Sequence, residues 1–128
     1  MQQFLETDSD GRVRVIIDQR ESERFDIILG SLGATVERRT LSVGDFLCSA
    51  KLAIERKTRS DFEQSIIDGR LFSQLPNLIT NYERVVIIVE GESDERRLSR
   101  NALLGTYATI ISDYGSSLIF TRDMEATA

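Results

Sequence analysis

An α/β sandwich around a mixed sheet is the fold class this sequence predicts, on three observations. Strand-like and helix-like apolar patterns alternate along the chain. Val85-Val86-Ile87-Ile88-Val89 is an unbroken apolar, β-branched run, the pattern of a central strand covered on both faces. Residues 45 to 57 read as a β-hairpin whose two faces differ sharply in polarity.

The elements follow in order. Met1 to Gly11 is polar and acidic and reads as a flexible arm. Arg12 to Asp18 is a strand carrying Val13, Val15, Ile16 and Ile17. Glu21 to Leu32 is a helix with Phe25, Ile28, Leu29 and Leu32 on one stripe and Gly33 as its stop. Thr35 to Leu41 is a strand, and the hairpin comes next. Ser60-Asp61 is placed to cap a helix ending near Asp68, and Gly69 breaks it. A second helix carries Leu71, Phe72, Leu75, Leu78 and Ile79, with a kink or late start expected at Pro76 because proline lacks the N–H. Arg84 to Glu90 is the central strand. Ser99 caps a helix over 100 to 113, Ser117 to Thr121 is a last strand, and Asp123 to Ala128 opens a further helix. A helix cut at that point is read as the sign of a fragment of a longer protein.

Composition narrows the chemistry. A chain of 128 residues, 41% hydrophobic and 29% charged, fits one domain with one core. No run is long enough for a membrane span, and the first residues lack a signal-peptide layout. One cysteine, Cys48, cannot form an internal disulfide, which fits an intracellular setting. With no histidine, Ser-His-Asp hydrolysis and His-ligated zinc within this chain are excluded. Carboxylate-bound hard cations stay open. A net charge of −5 means that nucleic-acid binding needs a local basic patch or another domain.

The hairpin concentrates that chemistry. With a turn at Ser49-Ala50-Lys51 and Cys48 opposite Leu52, Asp45 faces Glu55 directly and Lys57 shares their side. Phe46, Cys48, Leu52 and Ile54 take the other face, and a slip of one residue destroys both groupings. Two carboxylates and a lysine so placed suit a metal-dependent phosphodiesterase. Taken alone, the spacing is also that of a turn aspartate and two solvated strand residues. Lys51 to Asp61 holds four basic and two acidic residues, a locally positive stretch.

Four segments of the chain, taken together, resemble the nuclease domain of the XPF/Hef/MUS family of structure-specific DNA endonucleases. They are Val15-Ile16-Ile17-Asp18-Gln19-Arg20-Glu21, Val43-Gly44-Asp45, Glu55-Arg56-Lys57-Thr58-Arg59-Ser60-Asp61 and Ser65-Ile66-Ile67-Asp68-Gly69-Arg70-Leu71. The resemblance runs from about Val13 to the end, and closest in character are the archaeal members. It implies a restriction-endonuclease-like (PD-(D/E)xK-type) three-layer sandwich with a central mixed sheet. It also implies Mg²⁺ or Mn²⁺ dependence and cleavage near branch points in flap, fork or splayed-arm DNA, in repair or stalled-fork processing. On this reading 12–128 is the nuclease domain. The helix-hairpin-helix domain that usually follows it, and the helicase that precedes it in archaeal Hef, lie outside this chain.

Roles for single residues follow as expectations. Asp45 and Glu55 are candidate metal ligands, with the Arg56 carbonyl a further donor. Lys57 would orient a nucleophilic water or stabilise developing charge. Asp18, at the end of the first strand, is a third candidate for metal, directly or through water, or else a helix N-terminal acid. Within an Asp-x-Arg-Glu pattern, Arg20 could contact phosphate and Glu21 could steady a metal-bound water; surface charge is the alternative. Strand alternation turns Arg56 away from Glu55 and Lys57, toward Asp61 or another carboxylate. Asp61 caps its helix or orients a basic group, and Arg70 and Gln74 approach from the next helix. Arg96, Arg97 and Arg100 form a second candidate DNA strip or a solvated loop. Apolar residues on helix 100–113 and strand 117–121 are either core or, as the resemblance implies, a homodimer surface. Two rivals stand beside the nuclease reading: a junction-resolvase-like enzyme, and a non-catalytic DNA- or partner-binding subunit of the same fold.

Overall fold

The computed structural model describes residues 4–92 and 97–128. The strands are β1 (Glu6–Thr7), β2 (Val13–Asp18), β3 (Thr35–Arg39), β4 (Phe46–Leu47), β5 (Leu52–Thr58), β6 (Arg84–Glu90) and β7 (Ser117–Thr121). The helices are α1 (Arg24–Ser31), α2 (Arg59–Ile67), α3 (Arg70–Asn81), α4 (Arg100–Ser112) and α5 (Met124–Thr127). All seven strands join one mixed sheet along the path β1-β2-β4-β5-β6-β7, and β3 also pairs with β2. β2–β3, β5–β6 and β6–β7 are parallel; the pairings of β1, β4 and their neighbours are antiparallel.

Helices cover both faces, which gives the expected three layers. On one face α2, α3 and α4 bury Phe62, Leu71, Leu75, Leu78 and Ile110 against Ala53, Val85, Ile87 and Val89. On the other, α1 buries Phe25 and Leu29 against Val15, Ile17 and Phe46, and Met124 and Ala128 of the α5 region pack there. Val85, Ile87 and Val89 of β6 enter the first core, while the buried Ile88 alternates to the other side, where it lines a small cavity with Val15, Phe25 and Phe46.

Several local expectations are corrected. The N-terminal arm is tied down at β1, where Glu6 pairs with Arg14 and Thr7 with Val13. α1 starts at Arg24 rather than Glu21, and Leu32 lies outside the core at 68% exposure. Thr58, not Ser60 or Asp61, caps α2, accepting the Asp61 N–H at 3.3 Å. α3 neither starts late nor breaks at Pro76; it runs from Arg70, entered through the left-handed Gly69 (φ 81°). In α3, Leu71, Leu75 and Leu78 are buried, whereas Ile79 is exposed. Ser99 and Asp123 cap α4 and α5 through hydrogen bonds from Ala102 and Ala126.

Candidate active site

The hairpin adopts the register read from the sequence. Phe46 pairs with Ile54 and Leu47 with Ala53, so Asp45 falls opposite Glu55. The Cys48 N–H donates to the Leu52 carbonyl at 3.1 Å, and Ser49 Oγ accepts from the N–H groups of Lys51 and Leu52 to lock the turn. Phe46 and Ile54 enter the α1 core, as expected. The acidic face is not left to solvent: Leu47 and Ala53, on the same side as Glu55, join the other core. Gly44 (φ 84°) supplies the left-handed residue that turns the chain into Asp45.

A polar cleft of about 700 Å³ opens beside this face, lined among others by Asp18, Glu21, Asp45, Glu55, Asp61 and Gln74. Arg20 and Arg70 line it too. Lys57 is 9% exposed and its Nζ is 3.8 Å from Glu55 Oε1. Burial raises the Asp45 carboxyl, against a 2.8 Å hydrogen bond from the Arg56 N–H to Oδ2. Burial, and then the charge of Asp45, push Glu55 up to about 7. Glu21 is raised as well, by burial and by Asp45. Desolvation and like charge are acting together, the signature of a carboxylate group short of positive charge.

Asp18 differs. Its Oδ2 accepts from Arg20 Nε at 2.8 Å and its Oδ1 from the Leu41 N–H at 2.9 Å. The Arg20 bond is the chief reason its carboxyl falls to about 2. Arg20 is therefore occupied with Asp18 and with the Leu41 carbonyl. Asp18 also joins the hairpin through its main chain, its N–H donating to the Asp45 carbonyl at 2.8 Å.

Among the described residues no three acidic side chains are grouped closely enough to form a complete metal cage. The donor set still suits a hard cation. Asp45 and Glu55 are adjacent oxygen donors whose mutual repulsion a divalent ion would relieve, and Mg²⁺ keeps most of its own waters.

Other expected residues are distributed as follows. Arg56 does face away from Glu55 and Lys57, but its partners are Glu90 and Glu21 rather than Asp61. Arg70 Nε bonds Asp68 at 2.8 Å. The buried Oε1 of Gln74 has no hydrogen-bond partner among the described residues. Arg97 bonds Gln64, Arg100 lines a small groove with Arg59 and Tyr107, and Arg96 lies outside the described residues. Sequence reasoning missed Arg38 and Glu90. Arg38 donates to the carbonyls of Asp18, Glu21 and Ser22 and so braces the loop carrying three cleft residues. Nothing in its position on β3 signalled this. Glu90 does carry a signal, as the one charge ending an apolar buried strand.

A mixed sheet between two helical layers, with carboxylates and a lysine from a hairpin beside a cleft, defines the restriction-endonuclease-like fold class. The chain belongs to the ERCC4 domain family, whose model matches residues 17–128. Among solved structures it is similar to XPF from Aeropyrum pernix, at 43% identity and a TM-score of 0.82 over 89% of this chain and 59% of that one. A complex of the Aeropyrum pernix XPF with DNA matches equally, with a TM-score of 0.82. A Saccharolobus solfataricus protein named 3'-flap repair endonuclease Xpf is 33% identical over 124 residues, 91% of this chain and 52% of that protein. A Methanocaldococcus jannaschii protein named as an ATP-dependent RNA helicase is 45% identical over 116 residues, 91% of this chain but 14% of that protein. The chain thus spans about half or less of the length of these two curated relatives.

Proposed function

We propose that this chain is the nuclease domain of a structure-specific DNA endonuclease that hydrolyses phosphodiester bonds near branch points in flap, fork or splayed-arm DNA. The observation that carries this reading is the pairing of Asp45 and Glu55 in the wall of the polar cleft, with Lys57 on the same face of the hairpin 3.8 Å from Glu55. Family membership and the names of the repair endonucleases it resembles support it.

Asp45 and Glu55 would hold a divalent cation, Mg²⁺ or Mn²⁺, with Asp18 as a third acid nearby. When bound, such an ion supplies Lewis-acid stabilisation of phosphoryl oxygens and an acidified water. Lys57, almost fully buried, orients the attacking water and balances charge as it develops on the phosphate. Glu21 accepts a hydrogen bond from Arg56, lines the cleft and would steady a metal-bound water. Arg70 and Gln74 also line the cleft, where the Arg70 guanidinium could meet a phosphate and the Gln74 Oε1, an acceptor, could take a donor such as a base amino group or a water.

The protein is expected to act inside the cell on branched DNA, as a homodimer through α4 and β7. Leu104, Ile111 and Phe120 are each about half exposed on the α4 side, and Ile119, equally exposed, lies on the other side of the edge strand β7. Among the described residues no helix is long and apolar enough to cross a membrane.

The test is Mn²⁺-dependent cleavage of a labelled splayed-arm DNA beside plain duplex, for the chain and its Glu55→Gln variant. Junction-directed cutting that disappears in the variant supports the reading. Binding of the branched DNA with no cutting, even with flanking domains supplied, would replace it with a non-catalytic binding role. Cutting confined to four-way junctions would replace it with a resolvase.

A further inference from the structure

Arg56 joins the cleft to the layer behind the sheet. Its main-chain N–H donates to Asp45 Oδ2 at 2.8 Å, and its Nη1 donates to Glu21 Oε2 at 3.1 Å. Both acceptors line the cleft. The same guanidinium is gripped from the other side. Nε donates to Glu90 Oε1 at 3.0 Å, Nη2 pairs with Glu90 Oε2, and the Phe25 ring lies 4.9 Å from its central carbon.

Glu90 is itself held. It is 7% exposed and ends β6. Thr127 Oγ1 on α5 donates to Glu90 Oε1 at 2.6 Å. A hydroxyl has one proton to give, so once Thr127 donates to Glu90 it must accept from the Thr121 hydroxyl, 2.7 Å away. α5 is further fixed to α1 by Arg24 Nη2 and Glu125 Oε1 at 2.6 Å. The result is a continuous polar chain from Thr121 and Thr127 through Glu90 and Arg56 to Asp45 and Glu21. It crosses the sheet in an apolar setting, where each bond limits the freedom of the next.

We propose that Glu90 and Thr127 are positioning residues: α5, docked through them, fixes Arg56 and thereby the spacing of Asp45 and Glu21 across the cleft. Packing alone would not require this, because the helix could be held by Met124 and Ala128 without a carboxylate between Thr127 and Arg56. The inference rests on the nuclease reading only for what the cleft does, not for how its carboxylates are held.

The test compares wild type with Glu90→Gln, Thr127→Val and Thr127→Ser. Two readouts are taken: amide hydrogen exchange of Arg56 in the metal-free protein, and Mn²⁺ affinity by electron paramagnetic resonance with the metal alone. Glu90→Gln should release the Arg56 amide selectively among the β5 amides and weaken Mn²⁺ binding by up to about tenfold, the lower end of the effect of losing a partner bonded directly to a metal ligand, since Glu90 acts one bond further out through Arg56. Thr127→Val should move both in the same direction, and Thr127→Ser should restore them. If Glu90→Gln does not fold, the Thr127 pair decides. Unchanged Arg56 exchange in folded variants overturns the proposal, as does an increase spread evenly over all β5 amides. If the wild type binds no Mn²⁺, the nuclease reading fails while the exchange arm still judges this one.

Discussion

Lys57 Nζ lies 3.8 Å from Glu55 Oε1, two residues along the same strand, with both side chains almost out of solvent. The lysine partly offsets the burial and the Asp45 charge that raise Glu55. Lys57→Met should therefore lower single-turnover cleavage about 10²-fold or more. Lys57→Arg should not restore it, since a planar guanidinium cannot reproduce a point ammonium in so confined a place. Cleavage by Lys57→Met within a few-fold of wild type would remove the lysine from the mechanism.

The raised carboxyl of Glu55 makes a prediction about stability. An acid whose folded pKa is near 7, against an ordinary value of 4.5, favours the folded state while protonated. That contribution is complete below the unfolded value and is lost as pH rises through about 7. Metal-free Glu55→Gln should thus be more stable than wild type at pH 8 and little different at pH 5. Denaturant melts at the two pH values measure this, and an equal difference at both would contradict it. Mn²⁺ affinity should also rise between pH 6 and pH 8, as the ion ceases to compete with a proton.

Asp18 has the opposite sign. Its carboxyl is held at about 2, against 3.8, chiefly by the Arg20 hydrogen bond. This stabilisation is present above 3.8 and is lost as pH falls through about 2. Arg20→Ala should lower stability throughout the range above pH 3.8, with the difference from wild type shrinking toward pH 2, and should move the acid-unfolding midpoint upward. Acid melts followed by circular dichroism decide it.

Arg38 is mostly buried, at 17% exposure, and bonds three carbonyls as well as the Asp26 carboxylate at 2.7 Å. Arg38→Ala removes the donor that the three carbonyls and the Asp26 carboxylate share, although the Asp18 and Ser22 carbonyls keep the N–H groups of Glu21 and Phe25, and should cost about 2–3 kcal/mol. Because the braced loop carries Asp18, Arg20 and Glu21, cleavage should fall further than stability explains. Urea unfolding and cleavage rates at matched fraction folded separate the two effects.

Phe120 is 51% exposed on β7 and packs edge-on to Tyr107 of α4 at 5.2 Å between ring centroids. If this face pairs two copies, Phe120→Glu should shift sedimentation at high micromolar concentration from dimer to monomer without lowering the melting temperature by more than a few degrees. A monomeric wild type would end the homodimer reading for this chain.

How much was legible in advance depended on whether a residue answers to its neighbours in sequence or to distant ones. The Asp45–Glu55 pairing was readable because strand alternation and one short turn determine it. The outward turn of Arg56 followed from the same parity. Its partners were not readable, because Glu21 and Glu90 arrive from other elements at 35 and 34 residues' separation. Leu32 misled because it continues the α1 stripe, yet the helix ends at Ser31 and the Leu32 side chain is left largely exposed. Pro76 did not delay α3, which starts at Arg70 and continues through it: burial of Leu71, Leu75 and Leu78 outweighs one missing backbone hydrogen bond. The clamp on Asp18 needed the Leu41 N–H, brought across by the β2–β3 pairing and invisible in local pattern.

The alternation of Glu55, Arg56 and Lys57 between the two sides of β5 has a consequence for interpreting variants. Exchanging Arg56 and Lys57 would leave composition, net charge and hydropathy untouched. It would nonetheless leave a lysine to replace the forked grip on Glu90 and force a guanidinium into the space beside Glu55. At these three positions the order of the letters carries the meaning. A substitution score that counts the exchange of two basic residues as conservative would miss the loss entirely.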